Sequence, residues 1–340
     1  MNASSLPLLF ATALLLAGCA ARPAIVRLDG ESMGSTWTVK YVGAESSSPG
    51  VRAAIEHELA EIDAQMSTWK PESPLSRFNA APAASWHVLP EALFGVMQRA
   101  LALAADTDGA YDPTVGPLVE LWGFGPGKAR REPPTAAEID RVRARVGWQR
   151  VQLDEAGRRA FQAGGVHVDL SSIAPGYATD RIGEILGARG CADYLVEVGG
   201  ELRARGQKPD GGAWQVAVQR PLDNDHSDGA IDAQHIVALR DAALGSSGDY
   251  RHFFEDNGRR YAHRIDPRTG WPLDNDVASV TALAKRGIDA DPYATALSVL
   301  GPDAGMAFAR THGFGALFIL RNGERLEERM SEVFAASLSR

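Results

Sequence analysis

The sequence predicts an α+β fold built as a single mixed domain, on three observations. Stretches that alternate apolar and polar residues, the period of a half-buried strand, recur beside stretches in which apolar residues return every three or four positions, the period of an amphipathic helix. The two kinds mix without a strict strand–helix–strand rhythm, which argues against a doubly wound parallel sheet. No repeat with a period of roughly 20–50 residues and no low-complexity linker divides the chain. The 340 residues are 45% hydrophobic and 23% charged, an ordinary globular balance with length for one large or two small cores. A formal net charge of −8 argues against a nucleic-acid binder, which needs a basic face to neutralise phosphates.

In chain order, 36–41 alternates as a β-rich strand. Gly30-Glu31-Ser32-Met33-Gly34 before it matches the pattern of a nucleophile elbow, but that motif needs a helix after the serine and here a strand follows. Residues 51–68 form a helix, with Ile55, Leu59, Ile62 and Met66 on one stripe. A second helix spans about 90–106 and stops near Gly109. Prolines and glycines in 111–117 and in Leu121-Trp122-Gly123-Phe124-Gly125 forbid a long regular element there. The run Gly123, Gly125, Gly127 lacks the spacing and the preceding strand of a dinucleotide fingerprint. Thr135-Ala136-Ala137-Glu138 is a capping box that opens a helix to about Val146. Strands are expected around 149–153, 158–162 and 166–170, then a helix carrying Ile182, Ile185 and Leu186 to Gly190.

Residues 194–198 and 201–205 read as strands joined by a tight Gly199-Gly200 turn, and 214–219 as another. The acidic run 223–228 is a solvated loop, because the glycine and final glutamate of a calcium loop are misplaced. Strands around 235–239 and 250–254 bracket Gly245-Ser246-Ser247-Gly248-Asp249-Tyr250. A strand near 277–283, helices over 292–300 and 304–311 and a strand over 314–320 complete the chain.

Residues 8–18 are almost wholly apolar, too short to span a bilayer as a helix, and end in Leu16-Ala17-Gly18-Cys19. This resembles the lipobox of a bacterial lipoprotein, cleaved before Cys19 and acylated on its thiol, although the first ten residues carry no Lys or Arg. It gives a signal peptide over 1–18, a tether over 19–29 and a domain over 30–340, lipid-anchored on the periplasmic face of a bacterial membrane. The remaining cysteine, Cys191, makes no intrachain disulfide and reads as a packed thiol.

Apolar alternation does not explain 261–270 or 289–295. The chain has no P-loop, HExxH, CxxC or serine-triad motif. Several Gly/Ser/Thr/Asp turns can present backbone N–H groups to an anion, or simply turn the chain. Asp291 and Thr295 stand one helical turn apart, where a carboxylate and a hydroxyl can hold a hard cation such as Mg²⁺. Asp291 can equally cap a helix with Pro292 at its first position, and the two roles are compatible. His263 alone reads as a surface or structural histidine.

Eight ordered motifs change that reading. Met33-Gly34-Ser35, Met66-Ser67-Thr68-Trp69, Asp112-Pro113-Thr114-Val115-Gly116-Pro117, residues 169–180, Val196-Glu197-Val198-Gly199-Gly200-Glu201, Ser247-Gly248-Asp249-Tyr250, His263-Arg264-Ile265-Asp266-Pro267-Arg268-Thr269-Gly270 and Asp291-Pro292-Tyr293-Ala294-Thr295 together resemble the ApbE family of flavin transferases, collinearly from about residue 30 to 320. The resemblance implies an ApbE-like, T-fold-related architecture for 30–340. It implies FMN transfer from FAD to a threonine or serine hydroxyl of a target protein, with release of AMP and dependence on Mg²⁺. The implied acceptor is a subunit of a membrane redox complex carrying a D-x-x-[ST]-G-[AS]-[ST]-like motif.

By the same resemblance Asp291, Thr295 and the Ala174 carbonyl ligate the metal, and His263 is the base. Met33, Ser67, Trp69, Asp112, Thr114, Asp169 and Glu201 fall in segments that line the FAD cleft. Arg264 is expected to add positive charge near the phosphates. Trp69 stands where the family usually has tyrosine, and Pro175 where many members have lysine. A Mg²⁺-dependent FAD pyrophosphatase and a non-catalytic periplasmic flavin-binding protein are the competing readings.

Overall fold

The structure, a computed structural model, describes residues 24–127, 129–221, 232–249, 253–323 and 325–339. Cys19 with its lipobox, the acidic run 223–228 and Tyr250 lie outside the described residues. The elements are β1 (Ala24–Ser32), β2 (Ser35–Gly43), α1 (Ser48–Met66), α2 (Pro74–Asn79), β3 (Ser85–Val88), α3 (Glu91–Asp106), α4 (Gly116–Leu121), α5 (Ala136–Arg143), β4 (Val151–Asp154), β5 (Arg159–Gln162), α6 (Ala174–Ala188), β6 (Tyr194–Val198), β7 (Glu201–Arg205), β8 (Trp214–Gln219), β9 (Ala233–Leu239), β10 (Ala242–Gly248), β11 (Phe253–Asp256), β12 (Arg259–Ala262), β13 (Val277–Ala284), α7 (Gly287–His312), β14 (Gly315–Asn322), β15 (Arg325–Met330) and α8 (Glu332–Ala335).

Eight strands form one antiparallel sheet in the order β1-β2-β6-β7-β10-β13-β14-β15. The alternation in β2 buries Trp37, Val39 and Tyr41, and the α1 stripe buries Val51, Ile55, Leu59, Ile62 and Met66. Helices α1 and α6 pack with β1, β2 and β6 in the largest core, and α7 packs on β13 and β14. On the opposite face the β8–β9 hairpin and Phe334 of α8 cover Leu195, Leu244, Leu317 and Ile319. The mixed α+β reading holds, and the capping box opens α5 as expected, with Thr135 and Glu138 bonding reciprocally.

Four local expectations are corrected. The tether does not reach residue 29, because β1 pairs with β2 from Ala24 onward. Residues 166–170 join no sheet among the described residues: Asn79 bonds both the N–H (2.8 Å) and the carbonyl (2.9 Å) of Val168, and Gln162 does the same for Val166. Side-chain amides thus satisfy backbone groups that a neighbouring strand would otherwise take. Gly245-Ser246-Ser247-Gly248 lies inside β10, paired to β13. Finally, α7 begins upstream of Pro292 because Asp180 of α6 accepts from the N–H groups of Gly287 (2.9 Å) and Ile288 (3.0 Å). Asp291 is therefore inside the helix and does not cap it. The two helices expected over 292–300 and 304–311 are both present, joined through the break at Gly301 (φ 76°, ψ 176°).

Candidate active site

Asp291 sits where α6, α7 and β10 meet, and glycines make the meeting possible. A Cβ on Gly176 would overlap the Gly287 carbonyl oxygen and lie 2.7 Å from Asp291 Cβ. One on Gly245 would lie 2.5 Å from the Ala290 carbonyl. Real side chains cannot approach so closely, so the three backbones close around Asp291 only as glycine. The Asp291 carboxylate is 6% exposed and accepts a bond from Gly176 N–H at 2.9 Å. Burial pushes its carboxyl up to about 7 against that bond. Among the described residues no Lys or Arg pairs with it.

Thr295, partly buried, follows one turn later, and Ala174 opens α6 beside Gly176. A carboxylate, a hydroxyl and a carbonyl are the hard oxygen donors that Mg²⁺ takes, with phosphate oxygens completing its shell. No cluster of three or more His, Cys, Asp or Glu side chains able to hold a metal occurs among the described residues. A buried carboxylate lacking a cationic partner fits such an ion, because it is costly to ionise alone.

The sequence reading passed over Tyr111. It is fully buried, with its hydroxyl 3.5 Å from Ser172 Oγ. Burial raises its pKa, Ser172 opposes the shift, and the charges of Asp291, Asp169 and Asp112 add to it. The phenol therefore stays protonated within electrostatic reach of all three carboxylates.

His263 follows β12, outside the eight-stranded sheet. Among the described residues β12 pairs with β11 alone. Tyr261 of β12 stacks on Trp122 (5.4 Å, 26°) and on Phe254 of β11 (5.3 Å, 22°). After His263 the chain turns back: Gly270 N donates to Asp266 O at 2.8 Å, Gly270 has φ 80°, and the Asp266 carboxylate accepts from Arg268. Trp122 Nε1 donates to Gly270 O at 2.9 Å and ties the turn to the α4 segment. A cleft of about 410 Å³ lies beside this turn, lined among others by Asp108, Asp112, Arg143, Trp148 and Arg268.

The remaining candidates divide. Met33 (φ 54°) forms the β1–β2 turn with Gly34. A Cβ on Gly199 would lie 3.7 Å from Ser35 Oγ and 3.9 Å from Pro175 Cβ. That turn, the Gly199-Gly200 turn preceding buried Glu201, and the start of α6 therefore converge. Ser67 ends α1, and its carbonyl accepts from Ser73 (2.7 Å) and Ser76 (3.2 Å), which fixes the loop that presents Trp69. Trp69 is 69% exposed, an open face for an aromatic ring. Asp169 accepts from Ser171 N–H and Oγ.

Asp112 and Thr114 turn inward. The Asp112 carboxylate takes Thr114 N (2.8 Å), Thr114 Oγ1 (2.6 Å) and Trp148 N (2.9 Å), and Thr114 Oγ1 takes Gly147 N (2.8 Å). Their side chains brace two loops. Arg264 is likewise interior and is not the phosphate-facing charge expected of it. At 7% exposure it donates to Val277 O (2.6 Å) and pairs at 3.4 Å with Asp249, which Arg321 grips at 2.6 and 2.9 Å. Burial pushes its pKa down to about 10, with Asp249 opposing and Arg321 assisting.

Comparison with known proteins fixes the kinship of this arrangement. The ApbE family model matches residues 33–318. The chain belongs to the ApbE family. It is 38% identical over 331 residues to the FAD:protein FMN transferase of Haemophilus influenzae, covering 95% of this chain and 94% of that one. It is 37% identical over 339 residues to the FAD:protein FMN transferase of Salmonella typhimurium, covering 96% and 95%. The apo crystal structure of Pseudomonas stutzeri flavinyl transferase ApbE has a TM-score of 0.84 at 38% identity, covering 93% of this chain and 97% of that one. The flavin transferase ApbE of Vibrio cholerae gives the same TM-score at 36% identity, covering 93% and 100%.

Proposed function

We propose that this ApbE-family chain is an enzyme that transfers FMN from FAD to a threonine or serine hydroxyl of a target protein, releasing AMP. Near-full-length similarity to FAD:protein FMN transferases supports the reaction class. Within the structure one observation carries it: the buried Asp291 carboxylate, without a cationic partner among the described residues, at a corner closed by glycine backbones. Phosphoryl transfer asks little covalent chemistry of a protein and depends on positioning and charge neutralisation. Asp291, Thr295 and the Ala174 carbonyl would hold Mg²⁺, which when bound offsets charge on the pyrophosphate and on the leaving AMP. His263 takes the proton of the acceptor hydroxyl as the new P–O bond forms and the bond to the AMP phosphate breaks. Trp69 offers its exposed face to an aromatic ring of FAD, and the braces at Asp112, Thr114 and Arg264 hold the loops around the cleft.

The acceptor is a subunit of a membrane redox complex carrying a D-x-x-[ST]-G-[AS]-[ST]-like motif, and Cys19 anchors the enzyme by lipid on the periplasmic side of the membrane. Mass spectrometry of a peptide with that motif, incubated with enzyme, FAD and Mg²⁺, tests the reading. The expected product is a peptide–FMN adduct with one AMP released per adduct, abolished by chelating divalent cations. AMP and free FMN without adduct would instead establish a pyrophosphatase, and undiminished transfer after chelation would remove the Mg²⁺ assignment.

A further inference from the structure

His263 needs a fixed orientation to act as a base, yet among the described residues its hairpin pairs with no strand of the main sheet. An isolated two-stranded hairpin is marginal in water. Its backbone is secured on two sides: Leu273 N donates to Arg264 O at 2.8 Å, and Trp122 Nε1 holds Gly270 O. Neither contact sets the rotation of the imidazole about its own side-chain bonds. Phe124 touches the ring itself, with centroids 6.3 Å apart and planes at 72°, an edge-to-face pair.

Phe124 is in turn held firmly. Its ring stacks on Phe254 (5.9 Å, 30°), and its N–H donates to Val119 O at 3.0 Å. The preceding Gly123 has φ 81°, and a Cβ there would overlap the Arg130 backbone. The chain is therefore bent at the one residue type that allows it, and the bend aims Phe124 at His263.

We propose that Phe124 is a positioning residue for the transfer reaction. It restrains the His263 imidazole in the orientation that meets the acceptor hydroxyl, and the Leu121-Trp122-Gly123-Phe124-Gly125 segment exists to mount it. The proposal rests on His263 as the base. Its test compares wild type with Phe124→Leu, Phe124→Tyr and His263→Ala, using the acceptor-motif peptide, FAD and Mg²⁺, and reads kcat, KM for FAD and the thermal midpoint.

Phe124→Leu is expected to lower kcat roughly 10²-fold, the cost of a small misplacement of a reacting group, with KM for FAD and the midpoint close to wild type. Phe124→Tyr keeps the ring edge and is expected to retain most of kcat. Should the leucine variant not fold, Phe124→Met, whose flexible unbranched side chain fills irregular gaps, carries the same expectation. Wild-type kcat in Phe124→Leu, a loss confined to KM or thermal stability, or an equal loss in Phe124→Tyr overturns the proposal while leaving the base reading intact. Wild-type kcat in His263→Ala overturns both.

Discussion

The two halves of the site are held in place by opposite means. Asp291 and Thr295 ride on α7, against the middle of the eight-stranded sheet, and Gly176, Gly287 and Gly245 close that corner backbone to backbone. His263 follows a two-stranded hairpin beyond the sheet and is held by rings: Tyr261 on Trp122, Phe254 on Tyr261, Phe124 against the imidazole itself. At the Asp291 corner the backbones leave no room for a Cβ on Gly176, Gly245 or Gly287. The hairpin is mounted on side chains that interdigitate, and one ring can replace another of similar size. Under the proposed mechanism, rigidity lies where charge is to be neutralised, and adjustable packing where the acceptor hydroxyl is to meet the base.

This contrast can be broken by substitution. The largest effect is expected from Gly176→Ala, whose Cβ meets backbone that cannot swing aside. Unfolding free energy should fall by roughly 3 kcal/mol, read by denaturant melts, and AMP release should fail with it. Asp180→Ala removes the acceptor of the Gly287 and Ile288 N–H groups and the partner of Arg203, and is expected to cost about 2 kcal/mol. Trp122→Phe preserves an aromatic ring at a fully buried position but loses the bond to Gly270 O and part of the indole's packing against Tyr261 and Phe254. It should cost about 1 kcal/mol, with transfer largely retained. A Trp122→Phe penalty larger than that of Gly176→Ala would invert the comparison.

The sequence made much of this legible wherever the signal was local. The α1 stripe, the Thr135 capping box, the Gly199-Gly200 turn and the one-turn spacing of Asp291 and Thr295 all depend on neighbours within a few residues. What escaped depends on partners distant in the chain. Gly245-Ser246-Ser247-Gly248 has a loop's composition, but it is a central strand whose glycine admits α7, some forty-five residues further on. Residues 166–170 alternate like a strand, yet Asn79 and Gln162 satisfy them instead of another strand. Arg264 carried a charge that suggested phosphate, and only the fold shows that charge committed to Asp249 and to the Val277 carbonyl. Tyr111 gave no periodic or motif signal of its own, and its closeness to Asp291 and Asp169 arises only when α6 and α7 meet.

The division of labour between the two halves is tested most directly by following AMP and the peptide–FMN adduct together in Asp291→Asn and His263→Ala enzymes. Asp291→Asn is expected to lose AMP release whether or not acceptor is present. His263→Ala is expected to lose the adduct while still releasing AMP slowly to water. Wild-type adduct formation by His263→Ala, or wild-type AMP release by Asp291→Asn, would contradict it.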